Sequence, residues 1–195
     1  LPRYAWKPTI RNAATDPTGY ATLAKTLDRA FAVRKARAVA LVINSPGGSP
    51  SQSHLIFRRI RQLAEEKNIP VLAFIEDVGA SGGYMLACAG DEIICDDYSI
   101  VGSIGVVGGK LAMKGVYDKH GIDTESISRG ENSGIFSTTD KFSESERKVV
   151  ERMMKVVYEQ FTSKAAEGRK MKQEDLEKLA GAQVYTGRVA KRLGL

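Results

Sequence analysis

Short uninterrupted apolar runs alternate along the chain with stretches whose apolar positions recur at helical spacing. Tyr20, Leu23, Leu27, Ala30, Phe31 and Val33 predict an amphipathic helix over 20–36. Ala38–Ile43 is continuously apolar, the mark of a strand buried on both faces of a parallel sheet. Leu55, Ile56, Ile60 and Leu63 predict a helix over 51–67, Pro70 interrupts it, and Val71–Ile75 reads as a second buried strand. A helix over 82–89 and a short strand at Glu92–Cys95 follow. Further on, Leu111–His120 reads as a helix, Ile122–Ile127 alternates like a strand, and Arg129–Asp140 is polar loop. Ser143-Glu144-Ser145-Glu146 has the form of a capping box. It predicts a long helix reaching Glu167, with Val149, Val150, Met153, Val156, Val157 and Phe161 turned inward. A short helix spans 173–180, and Val184–Ala190 leads into a last helical turn ending at Gly194. The opening, Leu1–Gly19, has prolines at 2, 8 and 17 and reads as an extended arm.

Strand, helix, strand, helix, strand implies an α/β fold, a mostly parallel sheet with helices on its faces and right-handed crossovers. No repeat, low-complexity tract or linker interrupts it, so residues 1–195 read as a single domain. In such sheets, sites form beyond the carboxyl ends of the strands. Two motifs fall there. Asn44-Ser45-Pro46-Gly47-Gly48-Ser49-Pro50 is a loop whose glycines let backbone approach a ligand closely. Gly79-Ala80-Ser81-Gly82-Gly83-Tyr84 reads as a sharp strand-to-helix turn. It presents the Ser81 hydroxyl at a helix N-terminus, where amides and dipole favour developing negative charge. Alone, the first motif is an ordinary tight turn and the second an N-cap serine. Their placement at the same end of one sheet points to a nucleophilic serine.

Composition narrows the function classes. The chain's 195 residues suffice for a full core. Its net charge of +6 is scattered, without an arginine-rich block or interleaved aromatics, which describes a solvated basic surface and no nucleic-acid partner. Cys88 and Cys95 sit in apolar surroundings and read as buried free thiols. With His54 and His120 the only histidines, no metal site is expected. No apolar stretch is long enough for a membrane span, no signal peptide is visible, and the chain opens at Leu1 without an initiator Met, as a trimmed piece of something longer would. The glycine-dense stretch 99–109 suggests backbone packed against another element or a substrate. It lacks both the P-loop lysine and the acidic partner of a dinucleotide site, so no cofactor is expected.

Three segments carry a resemblance. Asn44-Ser45-Pro46-Gly47-Gly48, Gly79-Ala80-Ser81-Gly82-Gly83-Tyr84 and Val101-Gly102-Ser103-Ile104-Gly105-Val106 are similar, in order and spacing, to motifs of the signal peptide peptidase A family. Val184-Tyr185-Thr186-Gly187, Ala190 and Leu193-Gly194-Leu195 resemble that family's closing segment. The resemblance implies a Clp/crotonase-like α/β fold with a long C-terminal helix, ring- or dome-shaped homo-oligomers, and a peptidase with a serine nucleophile and a lysine general base. It further implies degradation of membrane-embedded peptide remnants on the extracytoplasmic side. An upstream first strand and membrane anchor, found in the family, are expected to be missing from this chain.

Carried over residue by residue, Ser81 would attack the peptide carbonyl while a neutral lysine amine takes its proton. The amides of Gly48 and Gly82, beside Gly47, would donate to the oxyanion. Ile104, Val106 and Val107 would line a shallow apolar groove for extended peptides with small or aliphatic side chains, paired along a strand edge. The family's lysine lies in a Gly-x-x-Lys segment, and the matching stretch here is Arg129-Gly130-Glu131-Asn132-Ser133-Gly134. Ser133 therefore stands where the lysine is expected. Lys141 is an alternative base, and Lys110 or Lys114 are others. A deliberately replaced lysine, or an inactive relative that binds peptides or serves assembly, are the remaining explanations. A histidine base is disfavoured, because Clp proteases place theirs where this chain has Gly102–Gly105, and His120 ends a helix. A crotonase-type acyl-CoA enzyme would require a glutamate base that the sequence does not place.

Overall fold

The computed structural model describes residues 9–11 and 19–195. They group into two compact units, one running to Gly105 and including Gln160–Leu195, the other spanning Val106–Glu159. Most of the opening arm lies outside the described residues.

The first unit begins with β1 (Thr9–Arg11), α1 (Gly19–Phe31), β2 (Val39–Ser45), α2 (Pro50–Lys67), β3 (Val71–Ala80), α3 (Gly82–Ala87), β4 (Glu92–Cys95) and β5 (Ile100–Gly102). Strand β1 falls inside the segment read as an arm, and three residues among prolines carry no period that would announce it. It pairs in parallel with β2, and β2 pairs in parallel with β3. The other edge of β3 is shared: Leu72–Ile75 pair with β4, and Val78–Ala80 pair with β5, both in parallel. This sharing explains why β3 runs to Ala80 and not only to Ile75. Its second half, with Glu76 and Asp77 exposed, gains its partner from the glycine-dense stretch.

The second unit holds α4 (Lys114–Lys119) and the start of α5 (Glu144–Arg169), whose remainder, from Gln160, belongs to the first unit. Returning there, α6 (Gln173–Leu179), β6 (Val184–Thr186) and α7 (Gly187–Leu193) close the chain, with β6 antiparallel to β5.

The core follows the apolar pattern. Val39, Leu41 and Ile43 of β2, Val71, Ala73 and Ile75 of β3, Ile56 and Ile60 of α2, and Leu27 and Phe31 of α1 are buried. Each of these side chains other than Ala73 contributes roughly 1.5–3 kcal/mol of transfer free energy. The helix α1 packs on α2, and α3 packs against β2 and β3. Asn68 closes α2 in the left-handed region, at φ 50°, ψ 48°.

Four expectations fail within the second unit and at its edge. Residues 122–127 form no strand; Ile122 and Ile127 are exposed, and an isolated alternating segment with no sheet partner cannot stand as a strand. The helix expected over 111–120 contracts to α4, with Leu111 exposed. The inward stripe of α5 holds at Phe161, but Met153 and Val156 are more than half exposed. Finally, Ile104, expected to line a groove, has no exposed surface and belongs to the core. The capping box forms as expected: Ser143 Oγ accepts from Glu146 N–H at 3.1 Å, and the Ser143 N–H donates to Glu146 Oε2 at 2.9 Å.

Candidate active site

The end of β2 sets the floor of the site. Register between β2 and β3 shifts between Ile43 and Ser45, leaving Asn44, which pairs with Arg11 of β1, without a partner on β3. Its side chain makes up the lost bonds: Asn44 Oδ1 accepts from the Val78 N–H at 3.3 Å and Asn44 Nδ2 donates to Asp77 Oδ2 at 2.9 Å. Ser45, fully buried, then pairs with Gly79 and accepts the Gly47 N–H on its Oγ at 3.2 Å. That bond fixes the Gly47–Gly48 turn, whose φ values of 115° and 145° suit only glycine. The turn leads into α2, where Ser49 is the N-cap and Pro50 occupies the first turn.

Ser81 lies at the junction of β3 and α3. Its N–H donates to Gly102 O at 2.9 Å and its carbonyl accepts from the Met85 N–H at 3.0 Å. Its backbone sits at φ 51°, ψ −123°. This lies outside the left-handed helical region and costs on the order of 1–3 kcal/mol for a residue with a Cβ. Such strain persists only where the surroundings impose it, and here the surroundings are tight. A methyl group at Gly47 would stand 2.6 Å from Ser81 Cβ, 3.0 Å from Ser81 Oγ and 3.0 Å from Gly82 N. One at Gly82 would stand 2.5 Å from Ser53 Oγ and 3.4 Å from Gly48 N, and one at Gly83 would stand 2.5 Å from Ser45 O. The small residues around Ser81 therefore allow α3 to start directly against the Ser45–Gly48 turn. Ser81, Gly47, Gly48 and Gly82 are brought together, and Ser81 Oγ makes no capping bond to its helix.

Behind Ser81, Tyr84 is fully buried, and its hydroxyl meets no hydrogen-bond partner of good geometry. Burial first, and the neighbouring Cys88 next, raise its pKa well above 10. Burial pushes the Cys88 thiol up to about 12, against the opposing pull of Arg169 and Tyr84. Cys95 is also raised, by burial and then by Asp96 and Asp97. Both thiols are free and neither carries thiolate character, so the serine is the candidate nucleophile. On α2, burial and the charges of Lys164 and Arg58 lower the His54 pKa.

The second unit holds Val106, Ser133 and the lysines named as bases. Ser133 is exposed and its hydroxyl donates to Gly130 O at 2.8 Å within a turn. A hydroxyl in that role is no proton acceptor at neutral pH. Lys110 is largely buried and committed: Nζ donates to Gly134 O at 2.9 Å, lies 3.7 Å from the buried Glu146 carboxylate and 4.7 Å from the Phe142 ring centroid. These three contacts hold the amine within the second unit. Lys114 is exposed and pairs with Asp118 at 3.2 Å one turn on, and Lys141 is exposed. Val106 is partly exposed and Val107 almost wholly so. Among the described residues no group of three or more His, Cys, Asp or Glu is placed to hold a metal ion. No helix among them is long and apolar enough to cross a membrane.

The sequence reading passed over two residues, Asn44 and Ser53. Asn44 sits in a loop-like motif of the sequence, yet it bridges the two strands that carry the site. Ser53 stands on the buried face of α2 with Ile56, Ile60, Leu63 and Ala64. A lone serine in that apolar stripe was the available signal.

A strand-to-helix turn that holds a strained serine against a Gly-Gly turn defines a hydrolase-like site, and sequence comparison gives it a family. The profile of Peptidase family S49 matches residues 63–195. The chain belongs to this peptidase family, as the signal peptide peptidase A resemblance implies. It is 36% identical over 163 residues to the chloroplastic serine protease SPPA of Arabidopsis thaliana, covering 83% of this chain and 24% of that protein. It is 30% identical over 176 residues to Protease 4 of Haemophilus influenzae, covering 89% of this chain and 28% of that protein. It is 43% identical over 178 residues to a Brucella melitensis protein named Na(+)/H(+) antiporter NhaA, covering 90% of this chain and 24% of that protein. The chain thus spans about a quarter of the length of each of these relatives. The antiporter name describes a far longer protein and carries no argument about this segment.

Proposed function

We propose that the chain is a serine peptidase domain of Clp/crotonase-like architecture, with Ser81 as nucleophile and the amides of Gly48 and Gly82 as oxyanion donors. The observation that carries this reading is the strained Ser81 backbone held against the Gly47–Gly48 turn, in a chain of a peptidase family. Ser81 Oγ attacks the peptide carbonyl as its proton passes to a base, the tetrahedral oxyanion accepts hydrogen bonds from the two amides, and the C–N bond breaks as the base returns the proton to the leaving amine. The acyl-enzyme then yields to water. The base in this reading is a lysine amine, which must be desolvated or set beside other positive charge to be neutral. Of the candidates named, Lys110 is committed to Glu146, and Lys114 and Lys141 are both exposed, so Lys141 would serve only once desolvated in the assembly. The substrates proposed are extended peptides with small or aliphatic side chains, such as membrane-associated signal-peptide remnants. The domain would act on the extracytoplasmic side within a membrane-anchored homo-oligomer.

Ser133 favours one further reading, an inactive family member that binds peptides or serves assembly. A fluorogenic peptide with alanine and valine flanking the scissile bond separates the two. The peptidase reading expects turnover by the wild-type chain and none by Ser81→Ala. Equal background hydrolysis by both chains, with peptide still bound, supports the inactive reading.

A further inference from the structure

The Ser53 hydroxyl, like that of Tyr84, is a buried polar group at this site without an assignment. It lies in the first turns of the 18-residue α2, and the residue is 1% exposed. Its Oγ is buried and has no hydrogen-bond partner. A buried hydroxyl left unbonded costs about 1–3 kcal/mol relative to a bonded one, so its presence on an otherwise apolar helix face calls for a role.

Its position indicates which. Ser53 Oγ occupies the space where a Gly82 side chain would begin, 2.5 Å from that point. The same point lies 3.4 Å from Gly48 N and 3.5 Å from Gly47 Cα. The hydroxyl thus packs against the Cα of Gly82, on the side that faces the Gly47–Gly48 turn. It also projects from the N-terminal end of α2, where the helix dipole already favours negative charge. An uncommitted donor held in a dry setting beside developing charge contributes without reorganisation when that charge appears.

We propose that Ser53 is a positioning residue of the oxyanion site: its free hydroxyl backs the Gly48–Gly82 amide pair and turns its hydrogen toward negative charge that arrives there. The proposal rests on the oxyanion reading of Gly48 and Gly82 given above. It also accounts for glycine at 82, since any side chain there would displace the hydroxyl.

A product-like ligand tests this without relying on turnover. The probe is acetyl-Ala-Ala-Val with a free carboxylate, compared with the same peptide as its amide, titrated calorimetrically into wild type, Ser53→Ala and Ser53→Cys. Thermal melts check that each variant is folded, and the cysteine variant keeps the volume if alanine disturbs packing. The wild-type chain is expected to prefer the carboxylate. Both variants should lose about tenfold of that preference while amide affinity stays constant. A purely structural serine would shift both affinities together or neither, and either outcome overturns the proposal. If wild type shows no carboxylate preference, the oxyanion reading itself fails. If the preference exists and both variants retain it, Ser53 alone is excluded.

Discussion

The Ser81 N–H donates to Gly102 O at 2.9 Å, adding one rung to the β3–β5 ladder beyond Ala80. The strained serine is therefore held by the sheet on one side and by the Gly47–Gly48 turn on the other. Strain of a few kcal/mol is tolerable because the sheet pairing and the buried start of α3 both act on the same residue.

Replacing Gly47 by alanine tests that confinement. The added methyl group would meet Ser81 Cβ at 2.6 Å, on backbone at φ 115° that alanine resists. Ser81 must move, and with it the Gly82 amide proposed as an oxyanion donor. The expected result is a loss of about a hundredfold or more in peptide turnover by Gly47→Ala. A turnover within threefold of wild type would show that the turn does not confine the nucleophile.

Asn44→Ala should destabilise the domain by about 1–3 kcal/mol, because it leaves the Val78 N–H and the Asp77 carboxylate without their partner across the register shift. Urea denaturation measures this. The same change should lower turnover by more than stability alone predicts, since Asn44 precedes the Ser45–Gly48 turn. An unchanged midpoint would remove Asn44 from the support of the site.

Much of this framework was legible in the sequence. The apolar runs of β2 and β3, the periodic face of α2 and the capping box of α5 each express a local rule that tertiary packing did not override. The Ser81 turn was legible for the same reason, because its small residues answer a steric demand from Ser45 and Gly48. What escaped was non-local. The second half of β3 is a strand because β5 pairs with it, not because Glu76 and Asp77 favour one. Residues 122–127 alternate as a strand should, but no neighbour offers them hydrogen bonds. Ile104 was placed in a groove by its motif, whereas the surrounding packing makes it core. Asn44 and Ser53 act across strands and helices that only the folded chain brings together.

The Lys110–Glu146 pair predicts a strongly coupled double-mutant cycle. Glu146 serves two masters, capping α5 through the Ser143 N–H and facing the buried Lys110 ammonium. Glu146→Ala alone should cost about 3–5 kcal/mol, since it strands a buried charge. The double variant Lys110→Met with Glu146→Ala should recover a substantial part of that loss. Additive losses in chemical denaturation would contradict the pairing.

The raised Cys88 pKa gives a pH dependence with a definite sign. The native thiol is pushed up to about 12, while an unfolded thiol ionises near the ordinary value of 9.0. Between these values the native state binds the extra proton, so stability is intact below the unfolded value and falls as pH rises above it. The slope approaches about 1.4 kcal/mol per pH unit for this group. Denaturation midpoints at pH 7 and pH 10 should diverge less in Cys88→Ala than in wild type. Identical divergence would show that Cys88 does not carry the effect.

The most direct test of the central claim is labelling with a fluorophosphonate probe, which reacts only with a serine whose proton has somewhere to go. The folded wild-type chain is incubated with probe and the adduct mapped by mass spectrometry. The account predicts a single adduct on Ser81, abolished in Ser81→Ala. A folded chain that takes up no label, or takes it elsewhere, would contradict Ser81 as an activated nucleophile.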